Sequence, residues 1–423
     1  MRTIPPQHGR KAIECTQSIA AEEKSPLSET PWVVRSRPTA INTVLQELRA
    51  LQAEGKPVLS LMRGQPDSPT PAHIVEAAIR ALHDGRTGYP DNRGEPELRR
   101  AVAEKLERDQ GLVYDPDREI LITDGATCGI ALALAASLQP GDAVLLPDPI
   151  YDAYLGPIAL WGGEIIRVPA NICAGRFSIA AGGLEASFQP RAKLVLLNNP
   201  WNPVGTVFAQ AELRAILDSA CIGSLSVISD EIYEGLVYDG RQHISPASVS
   251  DSARQRTVLV NSLSKTYSMT GWRVGYCAGP ASVIQGMTRV LQQFSRGPAT
   301  FVQDAAACAL RSSQECVRRL TREYQERRDR MVRCLSGIPG VQPLVPEGGL
   351  FVMVDVRRLG MPSDAVRRFL LQEMGVAVVH GSAYGPAGEG TLRVSFAGGG
   401  ELLEHGLQRL REGLLRVAEG ASE

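Results

Sequence analysis

The sequence has few of the residues that build metal sites or disulfide frameworks. Its eight cysteines are scattered without a C-x-x-C pair, and its six histidines form no H-E-x-x-H motif. We therefore predict no bound metal. Charge of one sign is also lacking, because 45 basic side chains stand against 46 acidic ones and leave a net charge of −1. No overall field would attract nucleic acid or an anionic membrane, so neither is expected as a partner.

Long hydrophobic runs are missing as well. The apolar stretch Ile130–Leu138 is far too short to span a bilayer. Residues 1–31 contain basic side chains but no apolar segment of the kind that secretory signals need. Prolines and glycines interrupt any periodicity in the first 30 residues or so, which predicts a loosely packed arm. Together these features predict a soluble, cytoplasmic enzyme.

The composition of the 423 residues is that of an ordinary globular protein, with 43% hydrophobic and 22% charged side chains. From about residue 70, helical patterns alternate with short apolar runs, which predicts an α/β fold with a largely parallel sheet. Five of these runs lead straight into polar clusters: Ile120–Ile122, Val144–Leu146, Leu194–Leu197, Val227–Ile228 and Val258–Val260. Such clusters are either turn residues or the lining of a crevice, where α/β sheets bind ligands. Five in succession favour the crevice.

The pattern changes towards the C-terminus. After a strand predicted at Arg273–Ala278, residues Gln314–Leu335 form a long helical pattern whose arginines alternate with acidic side chains, which indicates a solvated face. A short strand at Phe351–Val354 and an amphipathic helix at Glu401–Val417 follow. The leucines of that helix are interpreted as core packing. These elements predict a smaller α+β domain.

The segment Ser262-Leu-Ser-Lys265 is the central motif. Read alone, S-x-x-K matches the pattern of serine acylases, but the K-T-G and S-D-N motifs of those enzymes are absent. A lysine after a strand is also often only a surface residue. The continuation to Thr-Tyr-Ser-Met-Thr-Gly-Trp-Arg273 favours a third interpretation.

The stretch Ser262–Tyr276 resembles the lysine signature of the class I/II aminotransferases, which are fold-type I enzymes that use pyridoxal 5′-phosphate (PLP) and are similar to aspartate aminotransferase. The resemblance runs from Leu61–Asp67 to Thr391–Phe396. It implies a mostly parallel sheet in a large domain with a smaller α+β domain. It also implies that Lys265 forms the internal aldimine with PLP.

PLP acts as an electron sink for a carbanion at the substrate Cα, and a protonated pyridine nitrogen strengthens the sink. The resemblance implies that Asp230 is the carboxylate beside that nitrogen, although a helix N-cap is an alternative role. Tyr233 and Asn202 resemble the residues that contact the phenolic oxygen of the cofactor. These assignments make Lys265, Asp230 and Tyr233 the catalytic set.

The phosphate of the cofactor needs donors, which the N-terminus of a helix can supply. The residues that match the family's phosphate site are Gly125, Ala126, Thr127, Ser262, Ser264 and Arg273. Tyr151 aligns with the aromatic residue that stacks on the pyridine ring. Either Thr127 or Tyr151, taken alone, would be read as an ordinary helix or core residue.

The substrate is expected to be held mainly by Arg393, which resembles the arginine that grips the α-carboxylate in a bidentate manner. Gly64 and Asn202 resemble further substrate contacts, although a glycine could equally serve a turn. The side-chain specificity is not readable from the sequence. A dicarboxylate substrate would need a second cation, for which Arg63 and Arg296 are candidates.

The resemblance implies a homodimer with shared active sites. Tyr89 resembles the tyrosine that crosses the interface to the neighbour's cofactor phosphate, with a loop tyrosine packed on its own domain as the alternative. The expected domains are 1–67, an arm and part of the small domain, then 68–310, the large domain that binds PLP, and 311–423, the C-terminal small domain.

The predicted function is amino acid metabolism, including biosynthesis, by ping-pong transfer of an amino group between an L-amino acid and a 2-oxo acid. The same scaffold and residues also serve lyase-type PLP chemistry, such as elimination, decarboxylation or ring closure on S-adenosylmethionine. A regulator that only senses PLP is a further alternative, which the intact catalytic set and the absence of a DNA-binding motif argue against.

Overall fold

The computed structural model describes residues 39–420, so the predicted arm over the first 30 residues lies outside the described part. The helices are α1 Ala40–Ala53, α2 Ala72–His83, α3 Pro96–Gln110, α4 Ala126–Ser137, α5 Leu155–Leu160, α6 Gln210–Ile222, α7 Asp251–Arg256, α8 Leu263–Thr266, α9 Ala281–Leu291, α10 Thr300–Arg311, α11 Glu315–Leu335, α12 Ser363–Met374 and α13 Gly400–Gly420. Within residues 39–420, no helix combines the length and the apolar composition that crossing a bilayer requires.

The strands belong to three sheets. They are β1 Leu59–Ser60, β2 Ile120–Thr123, β3 Ala143–Asp148, β4 Glu164–Cys173, β5 Arg176–Ile179, β6 Ala192–Asn198, β7 Ser226–Asp230, β8 Thr257–Ser262, β9 Gly275–Ala278, β10 Gln342–Leu344, β11 Phe351–Asp355, β12 Val376–Ala377, β13 Val379–His380 and β14 Thr391–Ser395. The largest sheet has eight strands in the order β2-β9-β8-β7-β6-β3-β4-β5.

The central strands of the large sheet are parallel. β8, β7, β6, β3 and β4 pair in parallel in that order, whereas β9 runs antiparallel to both β8 and β2. Consequently β2, β3, β6, β7 and β8 all point the same way, and their carboxyl ends meet at one edge. The register places Asn198 beside Asp230 and Asp230 beside Val260. The five predicted strands and their common edge are confirmed.

Both faces of the large sheet are covered, which explains the continuous apolar character of its strands. Along β2, Ile120 and Ile122 pack in the cluster of α2, α3 and α10, whereas Leu121 packs in the cluster of α4 and α9. Successive side chains of a strand point to opposite faces, so each face receives its own apolar layer. Burying each such side chain is worth about 1.5–3 kcal/mol.

The second sheet is antiparallel, with the order β10-β11-β14-β13, and β1 pairs separately with β12. Its core includes residues of α11, α12 and α13. The leucines of α13 singled out in the sequence are Leu402, Leu403, Leu407, Leu410 and Leu414. They are buried as expected, except Leu402, which is 39% exposed because it lies beside Leu403 and so faces away from the apolar side. The expected domain boundaries after residues 67 and 310 stay a prediction.

One predicted strand begins later than expected. The sequence pattern placed its start at Arg273, but β9 begins at Gly275. Arg273 has a φ of 54°, in the left-handed region, which an extended strand cannot contain. The arginine therefore ends a turn, and its side chain is free to lie against the start of α4.

Candidate active site

A cavity of about 600 Å³ lies at the common edge of the parallel strands. The predicted site residues that line it are Gly64, Ala126, Thr127, Tyr151, Asn202, Asp230, Tyr233, Ser264, Lys265, Arg273 and Arg393. They come from segments far apart in the chain, and the strand ends bring them together. Gly125 and Ser262 lie just behind this lining, and Tyr89 is elsewhere on the surface.

Lys265 lies on the short helix α8, which follows β8 directly. Its Nζ donates a hydrogen bond to the carbonyl of Gly64 at 2.7 Å. Burial, together with the positive charges of Arg273 and Arg393, lowers the pKa of Lys265 to about 8. A substantial fraction of this amine is therefore neutral near physiological pH, which is the form that attacks a carbonyl.

Asp230 ends β7 and is only 3% exposed. Burial raises its pKa to about 6, although hydrogen bonds from Tyr154 and from the backbone N–H of Ile232 oppose the rise. Tyr154 Oη donates to Oδ2 at 2.7 Å, and Ile232 N donates to Oδ1 at 3.2 Å. No helix follows Asp230, since residues 232–235 form turns and Val237 forms an isolated bridge, so the N-cap interpretation is wrong.

Two residues that support Asp230 were missed in the sequence. Tyr154 holds its carboxylate, and the Nδ2 of Asn198 donates to its backbone carbonyl at 3.0 Å. The Oδ1 of Asn198 also accepts from the backbone N–H of Asn202 at 2.6 Å. Tyr154 follows Tyr151 by three residues, and their rings meet edge to face at 5.3 Å. The three-residue spacing of these two tyrosines places them on one turn, and it was the sequence signal that could have identified Tyr154 as a site residue.

Asn202 reaches the cavity from the loop after β6, and Tyr233 reaches it from the turn after β7. Both are buried, and Asn202 Oδ1 has no hydrogen-bond partner within the described residues. Burial raises the pKa of Tyr233 far above its ordinary value, so its phenol stays protonated and can donate. The hydroxyl of Tyr233 and the Nδ2 of Asn202 are the donors here that suit an anionic oxygen such as the phenolic oxygen of PLP, whereas the open Oδ1 can only accept.

The first turn of α4 forms the other end of the cavity. Gly125 precedes it with a φ of 89°, and a Cβ there would lie 2.5 Å from Nη2 of Arg273. The Nη1 of Arg273 donates to the carbonyl of Thr270 at 2.9 Å, and Nη2 donates to that of Asp124 at 3.2 Å. Glycine is thus needed for the arginine to approach the helix N-terminus, where backbone N–H groups attract anions.

The two serines of the motif have different positions. Ser264 lines the cavity, whereas Ser262 does not. The Ser262 hydroxyl lies 2.8 Å from that of Ser264 and donates to the carbonyl of Val274 at 2.8 Å. Ser262 therefore orients Ser264 from behind. With Arg273 and the amides of Ala126 and Thr127, the open end of the site is rich in donors and fits a phosphate group.

Arg393 extends from β14 of the smaller sheet into the cavity. Its Nη2 donates to the carbonyl of Met62 at 2.8 Å. Its guanidinium lies 4.0 Å from the ring centroid of Phe351 and 5.0 Å from that of Tyr384. Its buried Nε has no partner within residues 39–420. Aromatic rings thus fix the planar group while part of it stays available for a carboxylate.

Gly64 is required by close packing. A Cβ on this residue would overlap the ring of Phe351, and its φ lies outside the left-handed region. The turn interpretation of Gly64 is therefore wrong. Its carbonyl accepts the hydrogen bond from Lys265.

Of the remaining predicted residues, one lines the cavity and two do not. Arg63 lines the cavity, whereas Arg296 donates to Asn92 Oδ1 at 3.3 Å outside it. Tyr89 is 92% exposed and is not part of the cavity formed by its own chain. The packing of Tyr89 on its own domain, which was the alternative, is therefore wrong.

Behind Asp230, the side chains of Glu231, Glu234 and His243 lie close enough to share a cation. Lys105 Nζ already contacts Glu234 at 2.5 Å, and His243 contacts Glu231 at 2.8 Å. Because Lys105 supplies the positive charge, we propose no metal there.

Known proteins similar to this chain share most of its length. A family model described as aminotransferase class I and II matches residues 56–410. An aspartate aminotransferase of Pyrococcus abyssi is 38% identical over 372 residues, which cover 87% of this chain and 94% of that one. An arginine–pyruvate transaminase of Pseudomonas aeruginosa is 37% identical over 370 residues, or 88% and 91% of the two chains. The solved structure of an aspartate aminotransferase from Rhizobium meliloti superposes with a TM-score of 0.88 at 33% identity, over 92% and 99% of the chains.

Proposed function

This chain belongs to the class I and II aminotransferases, and we propose that Lys265, Asp230 and Arg393 carry its reaction. Members of this family are PLP-dependent enzymes that move amino groups between amino acids and 2-oxo acids. The observation behind the proposal is that a nucleophilic amine, a buried carboxylate and a partly open guanidinium line one cavity.

When bound, PLP supplies an electron sink for the electron pair left at the substrate Cα. Asp230 would hold the proton on the ring nitrogen, because a buried carboxylate is stabilised by a positive charge beside it. Tyr233 and Asn202 would contact the phenolic oxygen, and Tyr151 would lie against the ring. The donors at the start of α4 would hold the phosphate.

Lys265 would hold the cofactor and then act as the base of the reaction. With a pKa of about 8 its Nζ would be able to accept the proton from the substrate Cα and to give it up again later in the reaction. Arg393 would grip the α-carboxylate and so fix the Cα–H bond relative to Lys265. Its planar, ring-supported guanidinium suits this positioning role.

Trapping with borohydride tests the assignment of Lys265. The enzyme reconstituted with PLP and reduced should carry a pyridoxyl group on Lys265, located by peptide mass spectrometry. Lys265→Ala should lose the adduct and the amino transfer, whereas Lys193→Ala, which removes an exposed lysine on β6, should keep both. An adduct on another lysine would refute the proposal.

The names of the relatives favour amino transfer over the lyase alternative, since both are named as aminotransferases or transaminases. A product assay separates the two reactions directly. Amino transfer requires a 2-oxo acid acceptor and yields its amino acid, whereas elimination proceeds without an acceptor. Product formed at full rate without any 2-oxo acid would contradict the transferase assignment.

We further propose a homodimer in which Tyr89 completes the neighbour's site. Tyr89 and Phe294 are 92% and 61% exposed, and the hydrogen bond between Arg296 and Asn92 joins their two loops. Large aromatic side chains exposed together are typical of an interface between proteins. A cytoplasmic location and a role in biosynthesis stay predictions.

Mixed dimers test this arrangement. Tyr89→Ala chains retain Lys265, and Lys265→Ala chains retain Tyr89, so a refolded heterodimer should contain one site with both residues. Its activity should rise well above that of either homodimer. Activity equal to the average of the two homodimers would show that Tyr89 acts in its own chain or that the dimer is arranged differently.

A further inference from the structure

Asp152 is a carboxylate at the cavity for which residues 39–420 provide no partner. It lines the cavity and is 9% exposed. Within residues 39–420, no side chain or backbone group forms a hydrogen bond or an ion pair with its carboxylate. Asp230, the other carboxylate of the cavity, accepts hydrogen bonds from Tyr154 and Ile232. Its oxygens open to the cavity, so packing within the described residues does not account for Asp152, and its charge is available to a ligand.

The position of Asp152 relative to Arg393 is informative. Both side chains line the cavity, and both charges act on the half-buried phenol of Tyr151 and the buried phenol of Tyr384, so both lie in the same part of the cavity. They do not pair with each other, and the Nε of Arg393 also lacks a partner within the described chain. This end of the cavity therefore offers an available cation and an available anion, which a ligand carrying both opposite charges would satisfy together.

The α-amino group of a substrate cannot be the cation that Asp152 binds. Under the proposed function that group is held at the cofactor, where it is exchanged. The positive charge must therefore come from the side chain of the amino acid, in the form of an ammonium or guanidinium group.

A helix-terminal role for Asp152 and a preference for acidic substrates are the two competing possibilities. Asp152 begins the 3₁₀ turn Asp152–Tyr154, and a negative charge is favourable at such an N-terminus, but no N–H of the turn bonds to its carboxylate. Arg63 at the rim of the cavity would instead favour an acidic substrate. Arg63 is exposed, however, and a guanidinium in water needs no partner, so it gives a weaker indication than a buried carboxylate.

We infer that Asp152 is a specificity-determining residue that selects amino acids whose side chains end in an ammonium or guanidinium group. This inference depends on the proposed function and deepens it by naming the substrate class.

Three acids of equal chain length test the inference by binding alone. 6-Aminohexanoate, hexanoate and hexanedioate each offer a carboxylate to Arg393, and their far ends are positive, neutral and negative. Calorimetry on the PLP-loaded enzyme should show 6-aminohexanoate binding most tightly, by about tenfold over hexanoate, the gain expected of one charged hydrogen bond. Asp152→Asn should abolish that preference, and Asp152→Glu should keep most of it.

Asp218→Asn is the matched control, because it removes an exposed carboxylate on α6 and should leave the order of the three acids unchanged. Equal binding of the three acids to the wild-type enzyme would overturn the inference, and so would an equal loss for all three in Asp152→Asn, which indicates a structural role. Tighter binding of hexanedioate, lost in Arg63→Gln, would overturn it in favour of Arg63. If Asp152→Asn does not fold, the wild-type order still decides.

Transamination of lysine, norleucine and glutamate separates this inference from the proposed function. Activity on all three with no preference for lysine would overturn the inference and leave the aminotransferase assignment intact. No amino transfer with any amino acid would instead contradict the proposed function itself.

Discussion

Asp230 and Glu231 are neighbouring buried carboxylates that differ in the direction they face and in the direction of their pKa shifts. Asp230 faces the cavity, and burial raises its pKa to about 6. Glu231 faces the interior, where it accepts hydrogen bonds from Ser229 at 2.9 Å, Ser245 at 2.6 Å and His243 at 2.8 Å. Burial pushes the pKa of Glu231 up, but these bonds outweigh it and hold that pKa below the ordinary value.

The difference shows how a fold separates a carboxylate for chemistry from a carboxylate for structure. Glu231 is fully satisfied by its own chain, so its charge stabilises the fold and is not available for a ligand. Asp230 is held in position by Tyr154 and Ile232 while its charge stays undercompensated. A buried negative charge that its own chain pairs only in part attracts a positively charged ligand atom.

Neutralising Asp230 should have the largest effect on activity. Asp230→Asn keeps the shape and can still accept from Tyr154, but it cannot stabilise a proton on the ring nitrogen. We expect kcat to fall by about a hundredfold or more, with PLP still bound. Steady-state kinetics on the PLP-loaded variant measure this, with Asp218→Asn as the control. A rate within threefold of the wild type, on the order of 0.6 kcal/mol, would contradict the assignment.

The pH dependence of stability should distinguish the two carboxylates. The pKa of Asp230 is about 6 in the folded protein, against an ordinary value of 3.8. The free energy of unfolding should therefore fall by about 3 kcal/mol as pH rises from about 4 to 6, and it should not fall further above pH 6 on account of this group. Asp230→Asn should lack this loss in urea unfolding of cofactor-free protein. For Glu231 the sign is opposite, since its contribution is present above the ordinary pKa and is lost as pH falls. Parallel curves for wild type and Asp230→Asn would refute the comparison.

Glu231→Gln should cost stability more than catalysis. One of its two oxygens becomes an amide nitrogen, so part of the bonding to His243 and the two serines is lost. We expect the free energy of unfolding to fall by about 1–3 kcal/mol at pH 7, with kcat per folded enzyme within a few-fold of normal. Glu107→Gln, at an exposed position of α3, should change neither quantity. A large loss of kcat at unchanged stability would assign Glu231 to the chemistry.

Tyr154→Phe should lower kcat less than Asp230→Asn does. It removes the hydrogen bond that opposes the rise in the pKa of Asp230, so that pKa should rise further and less of the carboxylate should be ionised at neutral pH. We expect kcat to fall by about tenfold or less, with its acid limb moved to higher pH. Tyr114→Phe, which removes a buried hydroxyl outside the cavity, should leave the profile unchanged. An unmoved acid limb in Tyr154→Phe would show that Tyr154 does not tune Asp230.

The sequence was informative about the strand ends. An apolar run that stops at a polar cluster encodes both the strand and the edge at which it ends, and β7 with Asp230 shows this clearly. It was less informative about Arg273, because the turn that reverses the chain there depends on a left-handed residue that no periodicity reveals. The beginning of β9 was misplaced for that reason.

Within the site, residues that contact a ligand were easier to predict than residues that support them. Lys265 and Arg393 lie in motifs, whereas Tyr154 and Asn198 act on Asp230 from 76 and 32 residues away. Contacts at such separations follow from strand order, which the sequence does not state. The hydroxyl of Ser262 also supports a neighbour, since it lies 2.8 Å from that of Ser264, and the predicted contact of Ser262 with the phosphate stays a prediction.

The register of β7 between β6 and β8 determines which acid reaches the cavity. Neighbouring side chains on a strand face opposite sides, so a shift of one residue against Asn198 and Val260 would place Ser229 or Glu231 where Asp230 now lies. Insertions and deletions in the turn between α6 and β7 can be absorbed there, but one inside Ser226–Asp230 cannot. A change of chain length is thus tolerated in this turn. The same change a few residues later, inside β7, would replace the catalytic acid with a structural one.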